Sequence, residues 1–196
     1  MSNLLTSPII VTGLGRCGSS LVMDMLSKSG IPMLGNAQYP SYELNSNSFG
    51  ILDSLIVEKN IANDKNYAVK ILHPPYLDRI NLKKYRVILL ERNFKQQALS
   101  QIKLLNAMGY QVNLTPFLRL LIKDFKILES QLKYCVSITI DFEDLIINPT
   151  GSAKRIADFI GNTDSVELMA NCVIPRSTDC FDGFLELTQT RGLVQS

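Results

Sequence analysis

The chain has 196 residues, of which 46% are hydrophobic, and a formal net charge of +2. This length and composition predict one globular domain over residues 1–196 and exclude a disordered chain. The small net charge does not favour nucleic acid or an acidic membrane surface as a partner, and the single histidine excludes a histidine-rich metal site.

The cysteines and the N-terminus indicate the compartment. The four cysteines do not show the close pair spacing of a zinc site or a disulfide framework. The N-terminus lacks the basic segment of a signal peptide, and no apolar run is long enough to span a bilayer. We therefore expect a cytoplasmic protein in a reducing compartment, without a membrane span.

The first predicted elements are a strand over residues 8–13 and a helix over residues 18–29, joined by a glycine-containing loop. Glycine lets the backbone of such a loop approach a ligand closely. The N–H groups and the dipole at the start of the helix favour an anion there. The loop therefore predicts a phosphate site, and the alternative is a turn that only joins the strand to the helix.

The cation of this loop does not stand where a nucleotide triphosphatase has it. Those enzymes place a lysine directly after the second glycine of the motif, and here that position holds Ser19. The cation is instead Arg16, inside the loop, which suits a group with less charge than a γ-phosphate. Residues 9–22 resemble the 5′-phosphosulfate loop of sulfotransferases that use 3′-phosphoadenosine 5′-phosphosulfate (PAPS).

Two candidate proton acceptors follow the first helix. Glu43 lies in the loop-rich stretch 31–50 and is interpreted either as a substrate-facing acid or as a solvated carboxylate. A helix is predicted over residues 49–60 and a strand over residues 67–72, which ends at His73 because two prolines follow. His73 is then either a general base at the carboxyl end of a parallel strand or a hydrogen-bonded loop residue.

A second phosphate motif follows the apolar strand predicted over residues 85–91. Arg92 stands at the end of this strand, and Ser100 lies about two turns into the helix predicted over residues 93–106. Arg92 offers a planar fork to a phosphate and Ser100 offers a hydroxyl group. An exposed arginine and a solvated serine are the alternative. The run 92–95 and its spacing to Ser100 resemble the 3′-phosphate motif of PAPS sulfotransferases.

The second half of the chain is predicted to alternate helices and strands. Thr115 is expected to cap a helix with Pro116 in its first turn. A strand is predicted over residues 136–140, and helices over residues 151–160 and 164–171. The core-facing stripe of the long helix is predicted to be Leu118, Leu121, Phe125, Leu128 and Leu132. The lysines of the same region, Lys123, Lys126 and Lys133, are expected to be solvated.

A third block resembles a segment common in sulfotransferases, in which an aromatic-acid-acid-leucine run is followed by a proline and a glycine. Residues 138–161 carry this pattern, with Phe142 in place of the family's tyrosine and Gly161 at the end of the helix. We interpret Glu143 and Asp144 as mainly structural residues that cap or pair near the loop.

Alternating strands and helices predict an α/β fold of three layers, with a central parallel sheet flanked by helices. The resemblance implies the sulfotransferase branch of the P-loop fold. It also implies sulfuryl transfer from PAPS to a hydroxyl or amine acceptor, with 3′,5′-ADP released and no metal involved. Arg16 is implied as a catalytic residue, with His73 or Glu43 as the proton acceptor. The implied cofactor-binding residues are Gly15, Arg16, Cys17, Gly18, Ser19, Ser20, Arg92 and Ser100.

Two regions depart from the family pattern. Cytosolic sulfotransferases carry a basic, glycine-containing segment near the C-terminus that also holds the 3′-phosphate. This chain lacks it, so either Arg176 or Arg191 substitutes for that segment or PAPS binds weakly. The family's Lys-x-His run is also altered, since two residues separate Lys70 from His73 and only one of them keeps the register. Some relatives use a glutamate after the first helix, which makes Glu43 the rival of His73.

Two other functions stay open on the sequence. A P-loop kinase or nucleotide hydrolase is one, because Glu91 ends a strand that imitates an acidic magnesium-binding strand, although the loop lacks a lysine. A catalytically silent nucleotide-binding protein of the same fold is the other. Cys17 is either a reactive thiol at a helix N-terminus or, as we favour, a small side chain that the loop requires. The sequence indicates neither the acceptor class nor the oligomeric state.

Overall fold

The computed structural model describes residues 7–34, 66–72, 74–78, 80–107 and 109–179. Within them, five parallel strands form one sheet in the order β2-β3-β1-β4-β5. The strands are β1 (Ile9–Gly13), β2 (Met33–Leu34), β3 (Ala68–Lys70), β4 (Arg86–Glu91) and β5 (Val136–Asp141). The α/β fold with a central parallel sheet is confirmed.

Seven α-helices connect or flank these strands in the described part of the chain. They are α1 (Ser19–Lys28), α2 (Pro74–Leu77), α3 (Phe94–Ala107), α4 (Leu114–Leu132), α5 (Phe142–Ile147), α6 (Pro149–Ile160) and α7 (Val166–Ala170). Short 3₁₀ turns cover Leu82–Lys84 and Thr163–Ser165. None of the described helices combines the length and apolar character that crossing a bilayer requires.

The core has two sides because successive strand residues point to opposite faces of the sheet. Ile10 of β1 and Val87 of β4 pack on one face with apolar residues of α4. Ile9 and Ile88 pack on the other face with residues of α1, α6 and α7. This arrangement gives the three predicted layers.

The parallel direction of the strands brings their carboxyl ends to one edge of the sheet. β1 ends at Gly13, β3 at Lys70, β4 at Glu91 and β5 at Asp141. Glu91 and Asp141 are register partners, and Gly13 pairs with Leu90. The loop that follows β1 therefore begins directly beside the end of β4, which is where ligands bind in open parallel sheets.

Arg86 is the first residue of β4 and lies at the amino ends of the strands, opposite the site. Its side chain is buried, and it donates to the carbonyl oxygens of Ser7 and Phe159. Burial lowers the pKa of this guanidinium. The strand that leads to the predicted phosphate motif is thus anchored at its start by backbone carbonyls.

Most predicted element boundaries agree with the structure to within one or two residues, but several predictions were wrong. The strand predicted over 67–72 ends at Lys70, although Ile71 and Leu72 are buried. The predicted cap Thr115 lies inside α4, because Asn113 is the N-cap residue. The six-residue helix α5 and the two-residue strand β2 were missed. The helix predicted over 49–60 lies outside the described residues.

The predicted apolar stripe of α4 is confirmed. Leu121, Phe125, Leu128 and Leu132 are buried, and Leu118 is partly buried against the same cluster. The three lysines predicted to be solvated are exposed. This helix therefore covers one face of the sheet.

Candidate functional site

The loop between β1 and α1 adopts a backbone that few residue types tolerate. Gly18 has φ 91°, and a Cβ atom there would lie 2.7 Å from the ring of Phe142. Arg16 has φ 66°, the one positive φ of a non-glycine residue in the described ranges. A side chain in this left-handed region costs about 1 kcal/mol or more, so its surroundings must hold it there.

The predicted catalytic arginine contacts both residues of the predicted 3′-phosphate motif. Nε of Arg16 donates to Oγ of Ser100 over 3.1 Å. The carbonyl oxygen of Arg16 accepts from Nη1 of Arg92 over 2.9 Å. The two motifs, separated by 76 and 84 positions along the chain, thus form one cluster at the edge of the sheet.

Arg92 is a buried residue that joins the loop to the C-terminal part of the described chain. It is 7% exposed, and its Nη2 donates to the carbonyl oxygen of Thr178 over 3.1 Å. Its guanidinium carbon lies 4.3 Å from the ring centroid of Phe142, and that of Arg176 lies 5.7 Å from the same centroid. Arg176, one of the two cations named for the missing basic segment, therefore lies beside the site.

Phe142 connects the two motifs by packing. Its ring would meet a Cβ at Gly18, and it carries the guanidinium of Arg92 on its face. Cation–π contacts of this kind contribute about 0.5–2 kcal/mol. The phenylalanine that replaces the family's tyrosine is therefore a structural part of the site.

The two serines at the start of α1 have different surroundings. Ser19 is buried, and Oγ of Ser20 accepts from Nζ of Lys70 over 3.3 Å. Lys70 is 4% exposed, and burial lowers the pKa of its ammonium group to about 8. The site therefore has a further cation besides its arginines, buried next to the helix start, which the sequence interpretation did not assign to it.

Cys17 is fully buried within the loop. Burial raises the pKa of its thiol to about 11, although amide groups of the loop and the charge of Lys70 act in the opposite direction. Thiolates, not thiols, are the reactive form of cysteine. The structure thus favours the interpretation of Cys17 as a small side chain that fits the loop.

An acidic cavity of about 320 Å³ lies beside Arg92 at the carboxyl ends of β4 and β5. Burial raises the pKa of Glu143, and its carboxylate accepts from the backbone N–H of Asn93. Burial and the charge of Asp141 raise the pKa of Glu91. Glu143 thus bridges two elements, which agrees with its interpretation as a structural residue. The capping side chain of α5 is that of Asp141, which accepts the backbone N–H of Asp144. Asp144 therefore contributes through its backbone and not as a capping side chain.

Two further observations delimit the site. No group of three His, Cys, Asp or Glu side chains that could hold a metal ion occurs among the residues that the structure describes. A larger cavity of about 440 Å³ lies on the outer face of α4, where six residues of that helix line it. It is separate from the loop, and we assign it no part in the chemistry.

Three candidate residues lie outside the described part of the chain. They are Glu43, His73 and Arg191. The choice of proton acceptor therefore stays a prediction, as does any contribution of Arg191.

Comparison with known proteins identifies the fold. No protein family model and no curated protein sequence matches the chain. Among solved structures, mouse sulfotransferase SULT7A1 in complex with PAP matches with a TM-score of 0.61 and 17% identity, covering 98% of this chain and 79% of that one. The sulfotransferase STF9 from Mycobacterium avium matches with a TM-score of 0.59 and 12% identity, over 93% of this chain and 74% of that one.

The chain has the sulfotransferase fold. A sulfotransferase domain from the curacin biosynthetic pathway also matches, with a TM-score of 0.55 and 14% identity over 93% of this chain and 82% of that one. The sulfotransferase fold predicted from three short motifs is therefore confirmed. The sequence identity to these three structures is only 12–17%.

Within this sulfotransferase fold, sequence reasoning missed one residue at the loop that a simple signal could have found. Lys70 ends a strand whose other residues are apolar and buried. A lysine is almost never fully buried unless it is paired, so a lysine that continues an apolar, buried strand indicates a partner nearby. That signal did not depend on the register of the family's Lys-x-His run.

Proposed function

We propose that this chain is a sulfotransferase that moves a sulfuryl group from PAPS to a hydroxyl or amine acceptor. The observation that carries the proposal is the contact of Arg16 with both Arg92 and Ser100. It joins the loop suited to the 5′-phosphosulfate with the motif suited to the 3′-phosphate. PAP, which the mouse structure contains, is 3′,5′-ADP, the product that this reaction releases.

In the proposed reaction, the acceptor oxygen or nitrogen forms a bond to the sulfur of PAPS. The bond from sulfur to the bridging oxygen of the 5′-phosphate breaks, and 3′,5′-ADP leaves with the electron pair. His73 or Glu43 takes the proton of the acceptor. Charge grows on the bridging and sulfuryl oxygens, so the Arg16 guanidinium and the loop N–H groups supply electrostatic stabilisation where it is needed.

The remaining site residues would bind the nucleotide. Ser19, Ser20 and the loop around Cys17 and Gly18 take the 5′-phosphate side, at the positive end of the α1 dipole. Lys70 adds a buried cation next to Ser20, separated from that hydroxyl by 3.3 Å. Lys70 would then supply a cation on the phosphate side, although the loop itself has no lysine.

The 3′-phosphate is assigned to Arg92 and Ser100, with Arg176 as a second cation. Arg92 donates to the carbonyl of Thr178, and Arg176 lies over the ring on which Arg92 stacks. A phosphate that accepts from Arg92 in place of that carbonyl would lie close to Arg176. This arrangement supports Arg176 as the substitute for the family's missing basic segment.

Calorimetry with three ligands tests the proposal: 3′,5′-ADP, ATP, and ATP with magnesium. We expect tight binding of 3′,5′-ADP without magnesium and much weaker binding of ATP, because ATP lacks the 3′-phosphate. Transfer of ³⁵S from PAPS to a panel of phenols, sugars, alcohols and amines then tests turnover. Magnesium-dependent ATP binding would favour a kinase, and 3′,5′-ADP binding without transfer to any acceptor would favour the silent protein.

A further inference from the structure

Two glutamine side chains of α3 hold the phosphate-binding loop by its carbonyl groups. Nε2 of Gln97 donates to the carbonyl oxygens of Leu14 and Gly15, over 3.0 and 2.9 Å. Nε2 of Gln101 donates to the Gly15 carbonyl as well, over 2.6 Å. The amide group of Gln97 is therefore directed at the carbonyls of Leu14 and Gly15, and that of Gln101 at Gly15 alone.

The next carbonyl of the loop is held from the same side. The Arg16 carbonyl accepts from Arg92, which lies two residues before the start of α3. Three consecutive carbonyl groups, those of residues 14, 15 and 16, thus point toward one segment of the chain. In a loop without such donors, water would satisfy these oxygens, and nothing would align the three carbonyls in one direction.

The direction of the carbonyls determines the direction of the amides. In a planar trans peptide the N–H of the following residue points opposite to the C=O. The N–H groups of Gly15, Arg16 and Cys17 therefore point away from α3. Successive amides that face one way form a concave site for an anion, which needs no charged side chain.

We infer that Gln97, supported by Gln101, is a positioning residue that orients these amides before a ligand binds. Gln97 is 2% exposed, and its carboxamide adds no charge that would attract the anion away from the amides. The glutamine pair also supports the positive φ of Arg16, because it fixes the peptide that precedes that residue. The inference rests on the proposed function for the identity of the ligand.

Replacement of the carboxamide by a side chain of similar length tests the inference. Gln97→Met removes both donors and keeps the apolar packing, and we expect the affinity for 3′,5′-ADP to fall at least tenfold. Gln101→Met leaves Gly15 with its Gln97 contact, so a loss of about threefold is expected. In the ¹H–¹⁵N spectrum of the free protein, the Gln97→Met shifts should concentrate at residues 14–17.

Gln131→Met is the matched control. Gln131 also donates to a backbone carbonyl, that of Pro74, and contacts Asp78, but it lies on α4. The unfolding temperature of Gln131→Met should change about as much as that of Gln97→Met. Its affinity for 3′,5′-ADP should stay within twofold of wild type. If Gln97→Met bound 3′,5′-ADP as tightly as this control, the positioning role would be refuted while the proposed function stood.

A second variant separates positioning from packing. Gln97→Glu keeps the shape but turns a carboxylate toward two carbonyl oxygens at pH 8, and it regains an O–H donor when protonated. The ratio of wild-type to variant affinity should therefore shrink as the pH falls from 8 to 5. A ratio that is independent of pH would overturn the inference. A wild-type chain that binds neither 3′,5′-ADP nor ATP would overturn both the inference and the proposed function.

Discussion

The two ends of helix α1 use the same backbone conformation for different purposes. Gly18 precedes the helix with φ 91°, and Gly30 follows it with φ 84°. At the C-terminal end, the N–H groups of Gly30 and Ile31 bond to the carbonyls of Ser27 and Leu26. This is the Schellman arrangement, in which the chain satisfies its own last carbonyls.

The N-terminal end of α1 is built in another way. Gly18 has no side chain to accept from the first N–H groups, and no side-chain cap is formed. Instead, Gln97 holds the preceding carbonyls and Phe142 closes over the glycine. The comparison teaches that glycine serves different purposes at the two helix ends. The C-terminal end is completed by the chain's own backbone, whereas the N-terminal end, here called the shaped end, is held by Gln97 and Phe142 in the arrangement proposed to bind an anion.

The largest effect is expected from removing the guanidinium of Arg16, in the loop that precedes the N-terminal end of α1. Arg16→Ala should lower sulfuryl transfer from PAPS to the best acceptor of the panel by about 10²–10³-fold, the usual effect of losing one donor to a developing oxyanion. The variant keeps the positive φ, so its unfolding temperature should change little. The measurement is initial rates of ³⁵S transfer at saturating PAPS.

Arg119→Ala is the control for this variant. Arg119 is an exposed arginine on α4 and lines the outer groove of that helix. Its removal changes the net charge equally and should leave the transfer rate unchanged. Equal rates for Arg16→Ala and wild type would show that Arg16 does not stabilise the transition state.

A direct comparison of the two glycines should show the second largest effect. Both Gly18→Ala and Gly30→Ala force a side chain into the left-handed region, at about 1–2 kcal/mol. A Cβ at Gly30 meets nothing within 4 Å, whereas one at Gly18 lies 2.7 Å from the Phe142 ring. Overpacking adds about 1–3 kcal/mol at Gly18 alone. Urea unfolding measures both free energies.

The same pair should differ in ligand binding. Gly18→Ala moves the start of α1 and should weaken 3′,5′-ADP binding more than tenfold, while Gly30→Ala should bind within twofold of wild type. Calorimetry at a temperature where both variants are folded gives these values. Equal losses of stability and affinity in the two variants would remove the distinction between the helix ends.

The elements that determine this contrast were predictable from the sequence to different degrees. The strands that end at the site were predicted within about a residue at most ends, because buried parallel strands read as continuous apolar runs. The strand that ends at Lys70 was predicted two residues too long, because Ile71 and Leu72 are also apolar and buried. Periodicity cannot distinguish a buried strand from a buried extended segment.

The sequence offered candidate residues for the site but not their arrangement. Arg16, Arg92 and Ser100 were selected from two local patterns, and each pattern is visible in a short window of sequence. Their mutual hydrogen bonds span 76 and 84 positions, and no local signal encodes such a contact. Nothing in the sequence singled out Gln97, because glutamine is common in helices and its contact with the loop arises only from the tertiary fold.

The smallest predicted effect concerns the buried cation beside the shaped end of α1. Burial lowers the pKa of Lys70 to about 8, so its ammonium group loses a proton as the pH rises through that value. If the ammonium contacts the 5′-phosphate, the affinity for 3′,5′-ADP should fall about tenfold between pH 7.5 and pH 9. The phosphates ionise near pH 6 and Cys17 titrates near 11, so neither contributes in this window.

Two measurements separate this binding effect from a change in stability. Lys70→Arg carries a charge that does not titrate here, so its affinity should be flat from pH 7.5 to pH 9. The folded pKa of Lys70 lies below the unfolded value of about 10.4, so the unfolded state binds more protons between these two values. The free energy of unfolding should then rise with pH in that range, while the affinity falls. A wild-type affinity independent of pH would mean that the ammonium only supports Ser20, and that the shaped end of α1 binds its anion through the amides and Arg16.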